Sequence, residues 1–310
     1  MAEKKLDSIK LNLLRQVADL ETVPTGAYSI RVDGETFDKQ SSENIIIEKK
    51  TDKPGIDIYI KAAGKRESVH IPVILAESGL KEVVYNDFHI EEGADVLIIA
   101  GCGIHNCGVQ DSEHSGIHSF YLGKNAKVKY VEKHYGDGDG NGKNIMNPHT
   151  VVELAEGAYM EMETTQIKGV DSTKRKTEAV LHEKSTLIVY EKIMTHGEQF
   201  AETEFVVDLK GEDCGTHVVS RSVAKDNSRQ LFISDLVGNN RCSGHTECDA
   251  IIMDSATVSA IPEILAVNPD ASLIHEAAIG KIAGEQLIKL MTLGLTEKEA
   301  EEEIVNGFLR

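Results

Sequence analysis

The chain has 310 residues, 41% of them apolar, enough to bury a sizeable core in one elongated domain or two compact ones. Its formal charge of −18, with no long basic run, repels phosphate backbones and anionic lipid, so nucleic acid and membrane are poor partners while cations such as ferrous iron are attracted. No apolar run approaches the ~20 residues of a membrane span, polar residues interrupt the first twenty positions where a signal peptide would be apolar, and five cysteines are odd in number and too sparse for a disulfide framework, which points to free thiols, metal ligands or redox groups in a cytoplasmic protein.

Leu6, Ile9, Leu13, Leu14, Val17 and Leu20 fall on one helical stripe and predict an amphipathic helix over 4–20, within a first segment of 1–24. From 25 to 277 the texture is that of strands: short runs rich in Val, Ile, Thr and Tyr (IDIYIKA, DVLIIAG, KVKYVEKH, TLIVYEK, EFVVDLK) separated by Gly, Asn and Asp turns. A small residue between turn and strand recurs at Ala94, Ala126, Ala158 and Ser185, with spacings of 32, 32 and 27 residues, and again at Ala256 and Ala271, 15 residues apart. A strand-only repeat near one coil length predicts a β-solenoid of stacked parallel strands from about residue 40 to 276; a β-sandwich with regular turns is the alternative the same texture allows. From 278 to 310 the pattern turns helical. IGKIAGEQLIKLMTLG ends at Gly294, and Thr296 with Glu299 forms a capping box, with Leu295 placed to staple onto Ala300. The second helix carries a sticky edge of Ile304, Val305, Phe308 and Leu309.

Three constellations bear on chemistry. The run from Gly136 to Asn144 imitates a phosphate-binding loop but has Asp137 where Gly is needed and Asn144 where Ser or Thr is needed; as a calcium loop it fails at Pro148, where a bidentate Glu belongs. It reads as an inter-coil turn, and no nucleotide hydrolysis is assigned to the chain. GCGIHNCGVQDSEHSGIH offers Cys102, His105 and Cys107 as candidate ligands of a metal or cluster, or as groups that handle sulfur, with His114 and His118 on one strand face behind them. The third is RCSGHTECD followed by IHE: Cys248 and His275 stand 27 residues apart, one coil, which predicts thiolate, imidazole and the Glu276 carboxylate on adjacent rungs.

The stretch GHTECDAIIMD…AIPEILAVNPDASLIHEAAIGKIAGEQLIKLMTLGLTEKEAEEEIVNGFL resembles the C-terminal part of SufB and SufD proteins, in its His-x-x-Cys-Asp block, its Asn-Pro-Asp-Ala turn, its His-Glu-Ala step and its Ile-Val-Asn-Gly-Phe ending; KPGIDIYIKA and ESVHIPVIL extend the likeness towards the N-terminus. The resemblance implies a right-handed parallel β-helix, docking of a SufC-like ABC ATPase on the terminal helices, dimerisation through the C-terminal end of the β-helix, and assembly of an iron–sulfur cluster at that interface from iron and from sulfide or a sulfur donor protein. It implies a cluster role for Cys248 in the Cys-Asp block and for Glu276 beside the His-Glu step; His275 stands in that step, and SufD proteins bring a histidine to the interface. The chain lacks most of the N-terminal helical region of SufB proteins and has Ile274 where the family has a first carboxylate. Its short form resembles systems in which one SufB-like protein forms a homodimer. The function so implied is that of a scaffold, not an enzyme, with ATP hydrolysis in the partner. The alternative is a structural adaptor that recruits the ATPase without holding a cluster. A β-helical enzyme of polysaccharides is disfavoured by the absence of Trp and by an aromatic content of 5%.

Overall fold

Each small residue that sets the repeat closes a tight turn. The N–H groups of Ala94, Ala126, Ala158 and Ser185 donate to the carbonyls of Glu91, Gly123, Ala155 and His182, three residues back, and those of Ala256 and Ala271 do the same to Met253 and Asn268. Ala94, Ala126, Ala158 and Ser185 are buried where the turn closes, which leaves little room for a larger side chain. The computed structural model describes residues 6–18, 20, 24 and 26–310. Helix α1 (Ser8–Ala18) is followed by two hairpins, β1 (Ala27–Val32) with β2 (Glu35–Gln40) and β3 (Ile45–Lys49) with β4 (Gly55–Ile60). Then come β5 (Glu67–Leu75), β6 (Lys81–Ile90), β7 (Asp95–His105), β8 (Ser112–Leu122), β9 (Lys127–Asp137), β10 (Asn144–Met146) and β11 (His149–Leu154). The series continues through β12 (Tyr159–Lys168), β13 (Ser172–Leu181), β14 (Thr186–Thr195), β15 (Phe200–Leu209) and β16 (Gly215–Ala224). It ends with β17 (Arg229–Gly238), β18 (Ser243–Ile252), β19 (Thr257–Ala266) and β20 (Ser272–Gly280), before helices α2 (Gly284–Thr292) and α3 (Glu297–Phe308).

Strands alternate between two sheets, β2-β1-β5-β7-β9-β12-β14-β16-β18-β20 and β19-β17-β15-β13-β10-β8-β6-β4-β3, with β11 also bridging β8 and β13. The chain is a parallel β-solenoid, as its repeat predicts. In the first sheet Asp95 pairs with Lys127 and Lys127 with Tyr159, coils of 32 residues, then Tyr159 with Thr186, a coil of 27. The spacing of 15 between Ala256 and Ala271 is a half coil, because Ala256 leads into β19 of one sheet and Ala271 into β20 of the other. The N-terminal end departs from this plan: β1–β2 and β3–β4 pair antiparallel. Antiparallel hairpins can end a stack because they close locally, without needing a coil beneath them.

Inside the solenoid the inward residues of successive coils stack, as Phe88 does on Phe120 with ring centroids 4.5 Å apart. Helix α1 lies outside, burying Leu13, Leu14, Val17 and Ala18 against Tyr28, Ile30, Val32 and Ile74. Its predicted ends at residues 4, 5 and 19 lie outside the described residues, as does the boundary at residue 25. Gly101 and Gly103, which flank Cys102, serve this helix: a Cβ on Gly101 would lie 2.5 Å from the Val17 carbonyl oxygen. At the other end the hairpin α2–α3 forms with its capping box in place. The sticky edge of α3 is used within the chain: Val305 and Leu309 are buried against Val223 of β16 and Ile251 of β18, with Ile304 and Phe308 packed beside them. The unpartnered apolar side chains lie on and after α2, where Ile288, Met291 and Leu293 are exposed. Strands β19 and β20 are the edges of the two sheets at the C-terminal end, where Ile264 faces inward with no coil beyond it and Ile261, Leu265 and Ile274 are exposed on the outer faces.

Candidate functional site

Because alternate residues of a strand face inward, parallel register turns each inward position into a row running the length of the solenoid. One row is Ala100–Glu132–Thr164–Glu191–Ser220–Cys248–Ala277. Beside it runs Tyr130–Met162–Val189–Val218–Thr246–His275, and on the other side Cys102–His134–Gln166–Ile193–Ser222–Ala250. The interior therefore contains a connected polar strip with a buried cysteine near each end, and most of it was not anticipated from the sequence. Its signal was present in the alternation: in β9 the inward set is Val128, Tyr130, Glu132 and His134.

The middle of the strip is ionic. Arg175, buried on β13, donates to Glu132 at 2.5 Å, lies 3.3 Å from His134 Nδ1 and 3.6 Å from Glu191. Tyr130 donates to Glu132 at 2.9 Å and is 2.8 Å from His118 Nδ1. Burial pushes the Glu132 carboxyl up, but Arg175 and His134 outweigh it and hold the group well below the usual range. Glu191 has two hydroxyl donors, Ser220 at 2.8 Å and Thr203 at 3.2 Å, and burial raises it. His118 is driven down to about 4 by burial, so it is neutral; with Asn86 on its Nε2 it is a packed core histidine, and His114 is a partner of Glu82 at 3.1 Å.

At the C-terminal end, Cys248 and His275 both face the interior, on adjacent strands β18 and β20. The offset between these strands is 29 residues, not 27, so Cys248 stands opposite Ala277 and His275 opposite Thr246. The difference of two keeps both on the inner face but makes them diagonal neighbours. Burial pushes the Cys248 thiol up to about 12, with Glu191 and Asp249 adding to it. His275 Nδ1 is 2.7 Å from the Thr246 hydroxyl, and its Nε2 is buried without a partner in the chain. Burial lowers His275 and favours the neutral ring. Glu276 does not join them: it pairs with Glu247 on the outer face, where its carboxylate is 3.7 Å from His245, which stacks on His217.

The other predicted group is also divided. Cys102 faces inward among Val73, Leu75, Ile104, Met146 and Val170, with its thiol pushed well up by burial and by Glu82 and Glu132. Cys107 is exposed, 3.0 Å from His105 Nε2. Alternation sends Cys102 into the core, while Cys107 lies past the end of β7, so the two thiols do not share a metal site. Among the described residues no three His, Cys, Asp or Glu side chains gather closely enough to hold a metal ion within one chain. The glycine-rich run beside them is a stacking device: Cβ atoms on Gly138, Gly140 and Gly142 would lie 2.0–2.3 Å from the carbonyl oxygens of Asn106, Gly108 and Gln110. No described helix is long and apolar enough to cross a membrane.

The family description "SUF system FeS cluster assembly, SufBD core domain" matches residues 78–308. An iron–sulfur cluster assembly SufBD family protein of Methanocaldococcus jannaschii is 30% identical over 278 residues, which cover 88% of this chain and 87% of that protein. One from Archaeoglobus fulgidus is 31% identical over 231 residues, covering 74% of this chain and 61% of that protein. One from Pyrococcus horikoshii is 29% identical over 237 residues, covering 76% and 71%. Against the Archaeoglobus relative, then, the matched part is less than two thirds of the other protein's length.

Proposed function

The chain belongs to the SufBD family of iron–sulfur cluster assembly proteins, and we propose from that premise that it is the scaffold on which the cluster is built, as a cytoplasmic homodimer worked by a SufC-like ABC ATPase. The observation that carries the reading is the open C-terminal end of the solenoid, with Cys248 and the unpartnered Nε2 of His275 facing inward behind two free edge strands. Thiolate and imidazole are suitable donors for an iron–sulfur cargo. One chain offers too few of them, and a second copy set against β19 and β20 would supply the rest while covering Ile264 and Ile274. Burial favours the protonated Cys248 thiol, so iron bound there would take the place of that proton. Glu276, on the outer face, is proposed as an interface carboxylate next to His245 and not as a partner of His275 on the same wall.

The C-terminal hairpin supports a mechanical link. Helix α3 rests on Val223 and Ile251, and Ile251 is three residues from Cys248 on the same strand. Force applied to the hairpin by a docked ATPase would reach the strands that carry Ser220 and Cys248. Since α3 spends its apolar edge on the β body, docking is assigned to Ile288, Met291 and Leu293. Ile288→Glu combined with Leu293→Glu should abolish co-purification of the ATPase and leave the melting transition of the β body in place. Undiminished co-purification would refute the docking face. Anaerobic iron and sulfide analysis of the purified wild-type protein separates scaffold from adaptor: stoichiometric iron and acid-labile sulfide support the former, and their absence with the ATPase still bound supports the latter.

A further inference from the structure

The turn position filled by Ala94, Ala126, Ala158 and Ser185 continues, coil by coil, through Cys214 and Cys242 to Ala271. One ladder bond marks each step. The N–H of Ser243 donates to the Cys214 carbonyl at 3.1 Å and that of Ser272 to the Cys242 carbonyl at 2.9 Å, as Lys127 does to Ala94 at 2.7 Å. Two successive coils thus carry a thiol where the others carry a methyl or a hydroxyl group. Both thiols are free and belong to the core, yet each is one residue from the exposed Asp213 or Arg241. Across the turn runs a row of Ile90, Leu122, Leu154, Leu181 and Leu209, which then changes to Gly238. A Cβ on Gly238 would lie 3.2 Å from Cys242 Sγ, so the glycine makes room for that sulfur.

From this stacking we infer that Cys214 and Cys242 form a two-thiolate site for a soft monovalent cation, copper(I), held between adjacent coils. Side chains in matching conformations on neighbouring rungs repeat at the strand spacing of about 4.8 Å. A metal–sulfur bond is about 2.3 Å long, so one ion between two stacked sulfurs spans roughly that gap. A disulfide would have to draw the sulfurs to about 2 Å. The donor count selects the metal. Structural zinc and iron–sulfur clusters take about four protein donors, and among the described residues no third His, Cys, Asp or Glu joins the pair. Its neighbours in the row are the Ala271 methyl and the Ser185 hydroxyl, which already donates to the His182 carbonyl at 2.7 Å. Copper(I), soft and with a filled d shell, is satisfied by two thiolates in line. Burial, and after it the neighbouring Cys242, pushes the Cys214 thiol up to about 11, and burial raises Cys242 too. Binding therefore exchanges two thiol protons for one Cu⁺: two S–H bonds break, two S–Cu bonds form, both protons leave to water, and nothing is oxidised or reduced. The site is independent of the cluster reading, since Cys248 lies roughly 20 Å along the strand from Cys242.

Because Ala and Ser fill this row position in other coils, Cys214→Ser and Cys242→Ser should both fold. The test is anaerobic titration of the reduced full chain with copper(I) against the chromophoric chelator bicinchoninate. A variant with Cys107→Ser and Cys248→Ala, which lacks the exposed thiol and the cysteine of the proposed cluster site, should still hold one copper against the chelator. Adding either Cys214→Ser or Cys242→Ser to that background should release it. X-ray absorption at the copper edge should show two sulfur neighbours and no nitrogen, and loading should slow hydrogen exchange in the turns at 210–214 and 239–242. No uptake by the background variant, copper kept after both cysteines are changed, nitrogen among the copper neighbours, or a pair that takes zinc in preference would each overturn the assignment.

Discussion

Replacing Arg175 with Met should cost about 3–5 kcal/mol of stability, the usual loss when one partner of a buried ion pair is removed. Arg175 of β13 is buried between Glu132 and His134 of β9 and Glu191 of β14, so the change strands a carboxylate with no water to solvate it. A solenoid's stability is a sum of coil and interface contributions, so the loss should appear first as faster hydrogen exchange in β9, β13 and β14. The pH dependence has a defined sign. Glu132 is depressed below its unfolded value, so its contribution is full above the ordinary glutamate range and is lost as pH falls from there towards the much lower folded value. Arg175→Met should weaken that acid dependence, and adding Glu132→Gln should recover part of the stability. Unchanged urea unfolding in Arg175→Met would mean that the ion cluster does not hold these coils together.

Ile264→Lys should convert a dimer to monomers. Ile264 stands opposite buried Leu236 and so faces the solenoid interior, yet it is 42% exposed because no coil follows β19. Two free parallel edges with Ile261, Ile264 and Leu265 on one and Ile274 on the other are a ready template for pairing with another chain. A lysine there leaves a charge in the contact while the folded coil can still hold it in water. Sedimentation velocity at micromolar concentration should show the shift, with the far-ultraviolet circular dichroism unchanged. A variant that remains dimeric would move the interface elsewhere, and a wild type that is monomeric would remove it.

How far such features could be read from residues depended on what each one constrains. Ala94, Ala126, Ala158 and Ser185 gave the coil length because a turn closing against a strand tolerates little bulk. The pairing sense of β3 was not legible: NIIIEKK has the same strand texture whether it pairs antiparallel with β4 or stacks in parallel. The Cys248–His275 relation was close, since an error of two residues preserves the face, whereas Glu276, one residue on, lies on the opposite wall by the same alternation. Glu132, Arg175 and Glu191 were hidden because charged residues in KVKYVEKH, STKRKTEA and TLIVYEK look like solvent positions until the inward parity of each strand is counted. The edge of α3 looked free because nothing in a helix pattern says which apolar surface, Val223 and Ile251 or a partner, will take it.

The most direct test of the scaffold reading is anaerobic reconstitution of wild type and Cys248→Ala with ferrous iron and sulfide, followed by size-exclusion with iron and sulfide analysis and Mössbauer spectroscopy across the peak. Wild type should carry a cluster that elutes with the dimer, and Cys248→Ala should remain a dimer but retain little iron or sulfide. A cluster of wild-type content and spectrum in Cys248→Ala would contradict it.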